Sequence, residues 1–348
     1  MICNFETYQG FPPNNWDEIV HRLGGSVFHS TFWAEYQKKV QNVRPIFILS
    51  RDEKGEECAA AVALFKQSRR KFVSWILRDF TLTAHPCVRN QVGDTAVEFV
   101  QRCEGQARAL RCSRMTIESF MSGRSSFVPS EYGYLETERL EFSVNLSQDM
   151  NCLWMNLGKD QREKIKRLKR EGVAIEIGNA LEDLQGLRST REATQAKRSL
   201  HGQGYRLSGD DKFYESIYEY LVKRGVATLF VARLDSKIIA ALFFMTFNKK
   251  ACSVFSGSTD LGYKLGAQSG LFWTAVETFK SQGFEELNRG GVPASAASES
   301  DPLHGIYLFK LRLGTTPLLC RSGEKVLSPW AGRLTRLRDR LRTLRKPT

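Results

Sequence analysis

The side chains best suited to serve as bases, nucleophiles or metal ligands are scattered through this chain. Histidines stand at 21, 29, 85, 201 and 304, and cysteines at 3, 58, 87, 103, 112, 152, 252 and 320, with no metal-ligand spacing and no CxxC pair. Most of the cysteines sit in apolar runs, which points to reduced, buried thiols in a cytoplasmic protein rather than a disulfide framework or a zinc site. There is no GxxxxGK[ST] phosphate loop, no GxGxxG after a strand, no HExxH and no GxSxG elbow. Hydrolase and metalloenzyme chemistry therefore has no support. What the chain offers instead is cations and glycines. Lys159, Arg162, Lys164, Lys166, Arg167, Lys169 and Arg170 crowd one stretch against few acids, as a phosphate-binding surface or a solvated face would. Gly290 and Gly291 end a strand-like stretch, where a backbone can approach a ligand closely or simply turn. Lys310 follows Phe309 in a short segment after a polar loop; it is either functional or a surface lysine solvated beside Arg312.

Positioning such residues falls to the stretch from Val226 to Ser258. Three apolar, β-branched-rich runs, Ala227–Leu234, Ile238–Phe247 and Ala251–Phe255, are separated by Asp235-Ser236-Lys237 and Asn248-Lys249-Lys250. Breaks this short predict antiparallel hairpins. The middle run is apolar on both faces, so it belongs inside a sheet covered on both sides. Leu265, Phe272, Val276 and Phe279 then recur at helical spacing, and Gly283 closes that helix. The stretch ending Asn288-Arg289-Gly290-Gly291, a polar loop and His304–Gly314 follow. A meander followed by strand–helix–strand is an α/β sheet whose crevices can hold a ligand.

Upstream, Pro45–Ser50, Cys58–Phe65, Phe72–Leu82, Met115–Glu118 and Leu140–Leu146 read as strands. Helices are expected at Ala34–Gln41 and after Asp94, an N-cap for a face of Val97, Val100, Ala107 and Leu110. Asn151–Glu171 predicts one basic helical region ended by Gly172, and Val173–Ile177 a strand. Leu184 and Leu187 open another helix, and Ser208-Gly209-Asp210-Asp211 resembles a capping box before Phe213, Ile217 and Leu221. Both halves share a helix–strands–helix–strand plan, the pattern of a duplicated fold. At the end, Ser328-Pro329 caps a stripe of Trp330, Leu334, Leu337, Leu341 and Leu344, with seven Arg or Lys from 333 to 346 facing elsewhere. This basic amphipathic helix suits an anionic membrane surface or RNA phosphate, or packs its leucines on the first domain.

A chain of 348 residues has room for two domains. Its formal charge of +13 suggests a polyanionic partner such as RNA, a phosphate-bearing substrate or an anionic membrane, or a surface merely rich in arginine. The opening MICNFETYQG lacks a basic region followed by an apolar core, so no signal peptide is expected. No run of about 20 apolar residues predicts a membrane span.

The order of features resembles the FemABX family, peptidyltransferases that add amino acids to peptidoglycan precursors from aminoacyl-tRNA. The resemblance rests on Phe28-His29-Ser30-Thr31-Phe32-Trp33-Ala34-Glu35, Val144-Asn145-Leu146-Ser147, and Arg162-Glu163-Lys164-Ile165-Lys166-Arg167 leading to Gly172-Val173. It continues through Thr190–Arg198, Leu229-Phe230-Val231-Ala232-Arg233, Leu287–Gly291 and Phe309-Lys310-Leu311-Arg312-Leu313-Gly314, covering about residues 28–325. It implies an α/β (α+β) fold of two tandem GNAT-like domains, each a mixed central sheet flanked by helices. Domain one would span 1–147, completed by about 315–327; domain two, 148–314, would hold the donor; 328–348 is the basic helix.

By the same resemblance Lys310 is the catalytic residue at the reacting ester. A fixed ammonium there would stabilise the oxyanion by about 3–4 kcal/mol. Arg206, in Gly204-Tyr205-Arg206-Leu207, matches a phosphate-holding arginine whose fork grips a diphosphate. Tyr205, Phe309, Gly290, Gly291 and Ser258 complete the substrate-binding set, with Gly257 and Ser258 where the GNAT-type sheet splays for the acyl group. The family lysine after the Trp-Ala pair falls at Gln37 here, with Lys38 beside it to hold an anionic acceptor. Gly262–Gly270 occupies the pyrophosphate-binding place of CoA-using relatives but lacks a clean [RQ]xxGx[GA] spacing, which favours an RNA-carried donor. The expected enzyme joins an aminoacyl-tRNA donor to an anionic amine acceptor such as a muropeptide precursor in an interdomain cleft. It would need no cofactor or metal and would be cytoplasmic, with 328–346 touching the inner membrane face. One alternative is an acyl-CoA-dependent N-acyltransferase of cell-envelope or exopolysaccharide biosynthesis. The other is a non-catalytic RNA- or membrane-binding protein of the same fold.

Overall fold

The computed structural model describes residues 4–67, 78–89, 95–200, 209 and 211–328. The chain divides into two compact units, one running to Glu138 and resuming at Cys320, the other spanning Arg139–Leu319. The basic helix expected at 328–348 lies outside the described residues beyond Ser328, as do Tyr205, Arg206 and the cap residues Asp94, Ser208 and Asp210.

In the first unit the elements are β1 (Asn4–Gln9), α1 (Trp16–Arg22), α2 (Thr31–Gln41), β2 (Arg44–Arg51), β3 (Glu57–Gln67), β4 (Arg78–Leu82), β5 (Cys87–Val88), α3 (Thr95–Ala109) and β6 (Arg114–Ile117). β1, β2, β3 and β4 are antiparallel neighbours, and β4 runs parallel to β6. α3 buries Ala96, Phe99, Val100, Cys103 and Ala107 against this sheet, one helical stripe shifted by a residue from the expected face. The Ser30 hydroxyl caps α2 by accepting from the Trp33 amide at 3.2 Å. His29 is structural: its Nδ1 accepts from the Ser26 amide at 3.1 Å and its Nε2 bonds the His85 carbonyl at 2.8 Å.

The second unit receives β7 (Leu135–Asn145), then α4 (Met150–Asn156), α5 (Lys159–Arg170), β8 (Ala174–Gly178), α6 (Leu181–Leu200) and α7 (Asp211–Ile217) with a π turn, Tyr218–Val222. β9 (Ala227–Leu234), β10 (Lys237–Phe247), β11 (Lys250–Ser258), α8 (Asp260–Leu265), α9 (Ala267–Ser281), β12 (Glu286–Pro293) and α10 (His304–Arg312) follow, and β13 (Thr316–Val326) returns to pair antiparallel with β6 through Gly323–Val326. The order in this unit is β7-β12-β11-β10-β9-β8. Residues from Arg139 onward of β7 pair with β12, which is why the unit begins there and not at the 148 expected from the sequence.

The meander is as its punctuation demands. Asp235 and Ser236 have φ of 49° and 64°, and Asn248 and Lys249 of 51° and 55°, positive at both central positions as two-residue type I′ hairpins require. β10 is buried from Ile239 through Thr246, with α6 packed against it and α9 against its other neighbours in the core of Phe230, Phe244, Phe272 and Phe279. The basic stretch is two helices, broken at Leu157-Gly158, and Gly172 ends the second at φ 72°. His304–Arg312 forms a helix. Among the described residues no helix is long and apolar enough to cross a membrane.

Candidate active site

β11 and β12 run parallel but pair over three residues alone, Lys250–Cys252 against Glu286–Asn288. Beyond Cys252 and Asn288 the strands part. On its other edge β12 loses register with β7 between Asn288 and Gly291, a bulge that frees the backbone of Arg289 and Gly290. The Asn288 side chain builds the bulge from within: its Oδ1 accepts from the Gly290 amide at 2.7 Å while its Nδ2 donates to Glu141 Oε2 at 2.7 Å. Gly290 has φ 76°, and a Cβ there would stand 3.1 Å from the Ser253 carbonyl and 3.7 Å from Lys310 Nζ. A Cβ on Gly291 would lie 2.5 Å from Arg139 Nη2. Both glycines therefore answer to close approaches inside the unit.

Lys310 comes to this bulge from α10. The helix end is fixed by the Gly158 amide, which donates to the Arg312 carbonyl at 2.8 Å, and by the Thr315 hydroxyl on the Lys310 carbonyl at 2.8 Å. The side chain is 8% exposed, donates from Nζ to the Arg289 carbonyl at 2.8 Å, and stands 5.4 Å from the Phe142 ring centroid. Burial, reinforced by the positive charges of Arg289 and Arg139, holds its pKa well below the lysine range, and Glu141 and Cys252 offset part of this. Lys310 is thus a buried amine at a strand bulge, not a solvated surface lysine.

Ser258 is buried; its amide donates to Thr194 Oγ1 at 2.9 Å and its hydroxyl meets Gln268 Nε2 at 3.3 Å. Gly257 lets α6 touch β11: a Cβ would fall 2.4 Å from the Arg191 amide nitrogen. Phe309 is half-buried against the core that includes Phe272. In the first unit Gln37 is buried with its Oε1 unpartnered, and Lys38 is exposed over Phe11 at 5.5 Å. Of the basic helix, Arg162 donates to the Met155 carbonyl at 3.0 Å and Arg167 to the Lys264 carbonyl, so two of its seven cations fasten neighbouring helices. Among the described residues no cluster of His, Cys, Asp or Glu could hold a metal.

Sequence reasoning missed Arg289 and Gln268. Arg289 is 6% exposed and bridges the parting strands, with Nη1 donating to Ser253 Oγ at 3.1 Å and Nη2 to Gln268 Oε1 at 2.9 Å. Gln268, at the start of α9, is turned this way because its Nε2 donates to the Gly257 carbonyl at 2.8 Å and the Ala241 carbonyl at 3.1 Å. Their one sequence signal was position, beside the glycines already singled out.

Residues 157–297 match a family described as an acetyltransferase (GNAT) domain. No curated protein sequence matches the chain. Among solved structures, FemX is similar over 95% of this chain and 99% of its own, at 14% identity and a TM-score of 0.71. L-PGS from Bacillus licheniformis is similar over 93% and 94%, at 15% identity and 0.52. A tandem GNAT protein from the clavulanic acid biosynthesis pathway covers 94% and 99%, at 11% identity and 0.52. The parting parallel strands and the helix beginning beside them fall within residues 157–297, the stretch that matches the acetyltransferase (GNAT) domain family, and the chain as a whole shares the fold of FemX.

Proposed function

We propose that this enzyme forms an amide between an activated acyl donor, an aminoacyl ester carried on tRNA, and an amine acceptor of the peptidoglycan-precursor kind. The observation that carries the reading is the Lys310 amine, buried at the β12 bulge and aimed by the Arg289 carbonyl. The acceptor amine attacks the ester carbonyl, the new C–N bond forms and the C–O bond to the ribose breaks. Lys310, its pKa lowered by burial, takes the proton shed by the attacking amine and returns it to the leaving oxygen. As an ammonium during the step it also stabilises charge on the carbonyl oxygen. Arg206 and Lys38 remain proposed holders of an anionic acceptor. Lys159, Lys166, Lys169 and Arg170, exposed on α5, suit the phosphates of a tRNA donor.

A second reading keeps the chemistry and changes the donor to acyl-CoA. It is favoured by the GNAT family match and by α9 beginning beside the parted strands. Titrating the full chain with charged tRNA and with acetyl-CoA, followed by mass-spectrometric detection of transfer to a lysine-containing muropeptide, separates the two. Donor-dependent amide formation with charged tRNA supports the first, and amide formation from the thioester alone replaces it with the second.

A further inference from the structure

The Arg289 side chain has no role in the reaction just proposed, yet it is a cation buried at that site. Its guanidinium is 6% exposed, both of its hydrogen-bonded partners are neutral, and its buried Nε has no partner. No carboxylate among the described residues lies within ion-pair distance; Glu141, the nearby acid, is engaged by Asn288 and Arg139. Burial with no compensating charge lowers its pKa to about 10, still a cation at neutral pH. A buried cation without an anion costs several kcal/mol, and here the surroundings add positive potential. Gln268 places the N-terminal end of α9 beside it, with the positive end of that helix's dipole. The neutral partners hold the fork in place without discharging it, and leave Nε and one hydrogen on each Nη unspent.

We propose that Arg289 is a carboxylate receptor: the substrate handled beside Lys310 carries a free carboxylate that pairs with this guanidinium in the crevice between β11 and β12. This rests on the acyl-transfer reading for the word substrate, but not for the anion site itself. A flat, two-oxygen acceptor suits the unspent donors, which lie in one guanidinium plane. Ser253 and Gln268 are positioning residues that keep that plane fixed. The Lys310 amine reaches the backbone of the same residue, so the carboxylate would sit within one residue's breadth of the reacting group.

The test is isothermal titration of the full chain with two probes and their uncharged counterparts. The N-acetylcysteamine thioester of glutarate carries its carboxylate on the acyl group, and γ-aminobutyrate carries it on the amine. The corresponding primary amides are the controls. At least one acid is expected to bind, with its amide weaker by about 10- to 100-fold, and Arg289→Met is expected to remove that preference. Whichever acid responds assigns the carboxylate to the acyl or to the amine side. Arg289→Lys, which keeps the charge and fold but not the fork, is expected to lose about tenfold. Lys310→Met is expected to retain acid binding while losing transfer, so a failure of the acyl-transfer reading leaves this result legible. Equal binding of acid and amide by the wild-type chain, or an acid preference that survives in a folded Arg289→Met protein, overturns the proposal.

Discussion

Replacing Lys310 by methionine keeps an unbranched side chain of similar reach in α10 and removes the amine alone. Two terms of opposite sign then act on stability. The 2.8 Å hydrogen bond to the Arg289 carbonyl is lost, and a buried acceptor left without a partner costs about 1–3 kcal/mol. Against this, a proton-binding group that burial and Arg289 had made unfavourable is gone. Because the folded-state pKa lies below the ordinary value of 10.5, the unfolded chain holds more protons between the two values. Wild-type stability therefore rises with pH through that window, and the penalty on the folded state is greatest below it. The variant lacks this rise. Its net change at neutral pH is expected within about 2 kcal/mol, while turnover falls about 100- to 1,000-fold, as for loss of a group acting at a developing oxyanion. Transfer is followed by mass spectrometry at saturating substrates, and urea unfolding is compared at pH 7 and 9.5. Turnover within about threefold of wild type, or an unfolding free energy that climbs with pH as steeply as wild type, refutes the assignment of Lys310 as a buried titrating catalyst.

Gly257→Ala puts a methyl 2.4 Å from backbone atoms of Thr190 and Arg191, which cannot rotate away; it is expected to destabilise by about 2 kcal/mol or more, read as a lowered melting temperature. A variant as stable as wild type would show that α6 yields. In the first unit, His85 is 4% exposed with Nδ1 on Ser125 Oγ at 2.8 Å and Nε2 on the Arg321 carbonyl at 2.7 Å, and burial lowers its pKa from 6.5 to about 4. The unfolded chain takes the proton first, so stability present above pH 6.5 is lost as pH falls toward 4, on the order of 3 kcal/mol. Urea midpoints at pH 7 and 4.5 for wild type and His85→Gln check this, and an equal acid loss in both proteins contradicts it.

What the sequence disclosed and what it hid divide along physical lines. The meander, the end of α9 at Gly283 and the end of α5 at Gly172 were legible because each is decided within a few residues, by turn chemistry or a left-handed cap. β1 and α1 passed unread: β1 is a half-exposed strand and α1 has seven residues, too short for a periodic signal. The break at Gly158 was hidden inside a charge run that looks continuous. A long-range contact is made there, since the Gly158 amide donates to the Arg312 carbonyl at 2.8 Å. Lys310 was singled out through the resemblance, but its burial was not legible: a lysine between Phe309 and Leu311 can snorkel to water, and here its amine is held inside by the Arg289 carbonyl at the bulge. Arg289 lay in a run read for its glycines, and its partners Ser253 and Gln268 are 36 and 21 residues away. Nothing in local sequence announces a guanidinium without an acid.

That distribution of charge argues for where the chemistry lies. In the first unit His85 is held uncharged, and Lys325, Glu104 and Tyr134 satisfy one another around a cavity of about 350 Å³. In the second unit two guanidiniums are buried without a carboxylate among the described residues. One is Arg289; the other is Arg191, bonded to the Tyr214 hydroxyl at 2.6 Å and 4.5 Å from the Phe255 ring centroid, its Nε also unpartnered. Lys310 is a third buried basic group, an amine whose pKa burial lowers, bonded to the Arg289 carbonyl. Hydrophobic side chains of like volume would fold at least as well at such positions, so stability does not explain them. A fold that tolerates two such guanidiniums and a buried amine along β11 and β12 holds positive potential ready for an anion that arrives from outside, either a charge that develops on a carbonyl oxygen or one that the substrate brings.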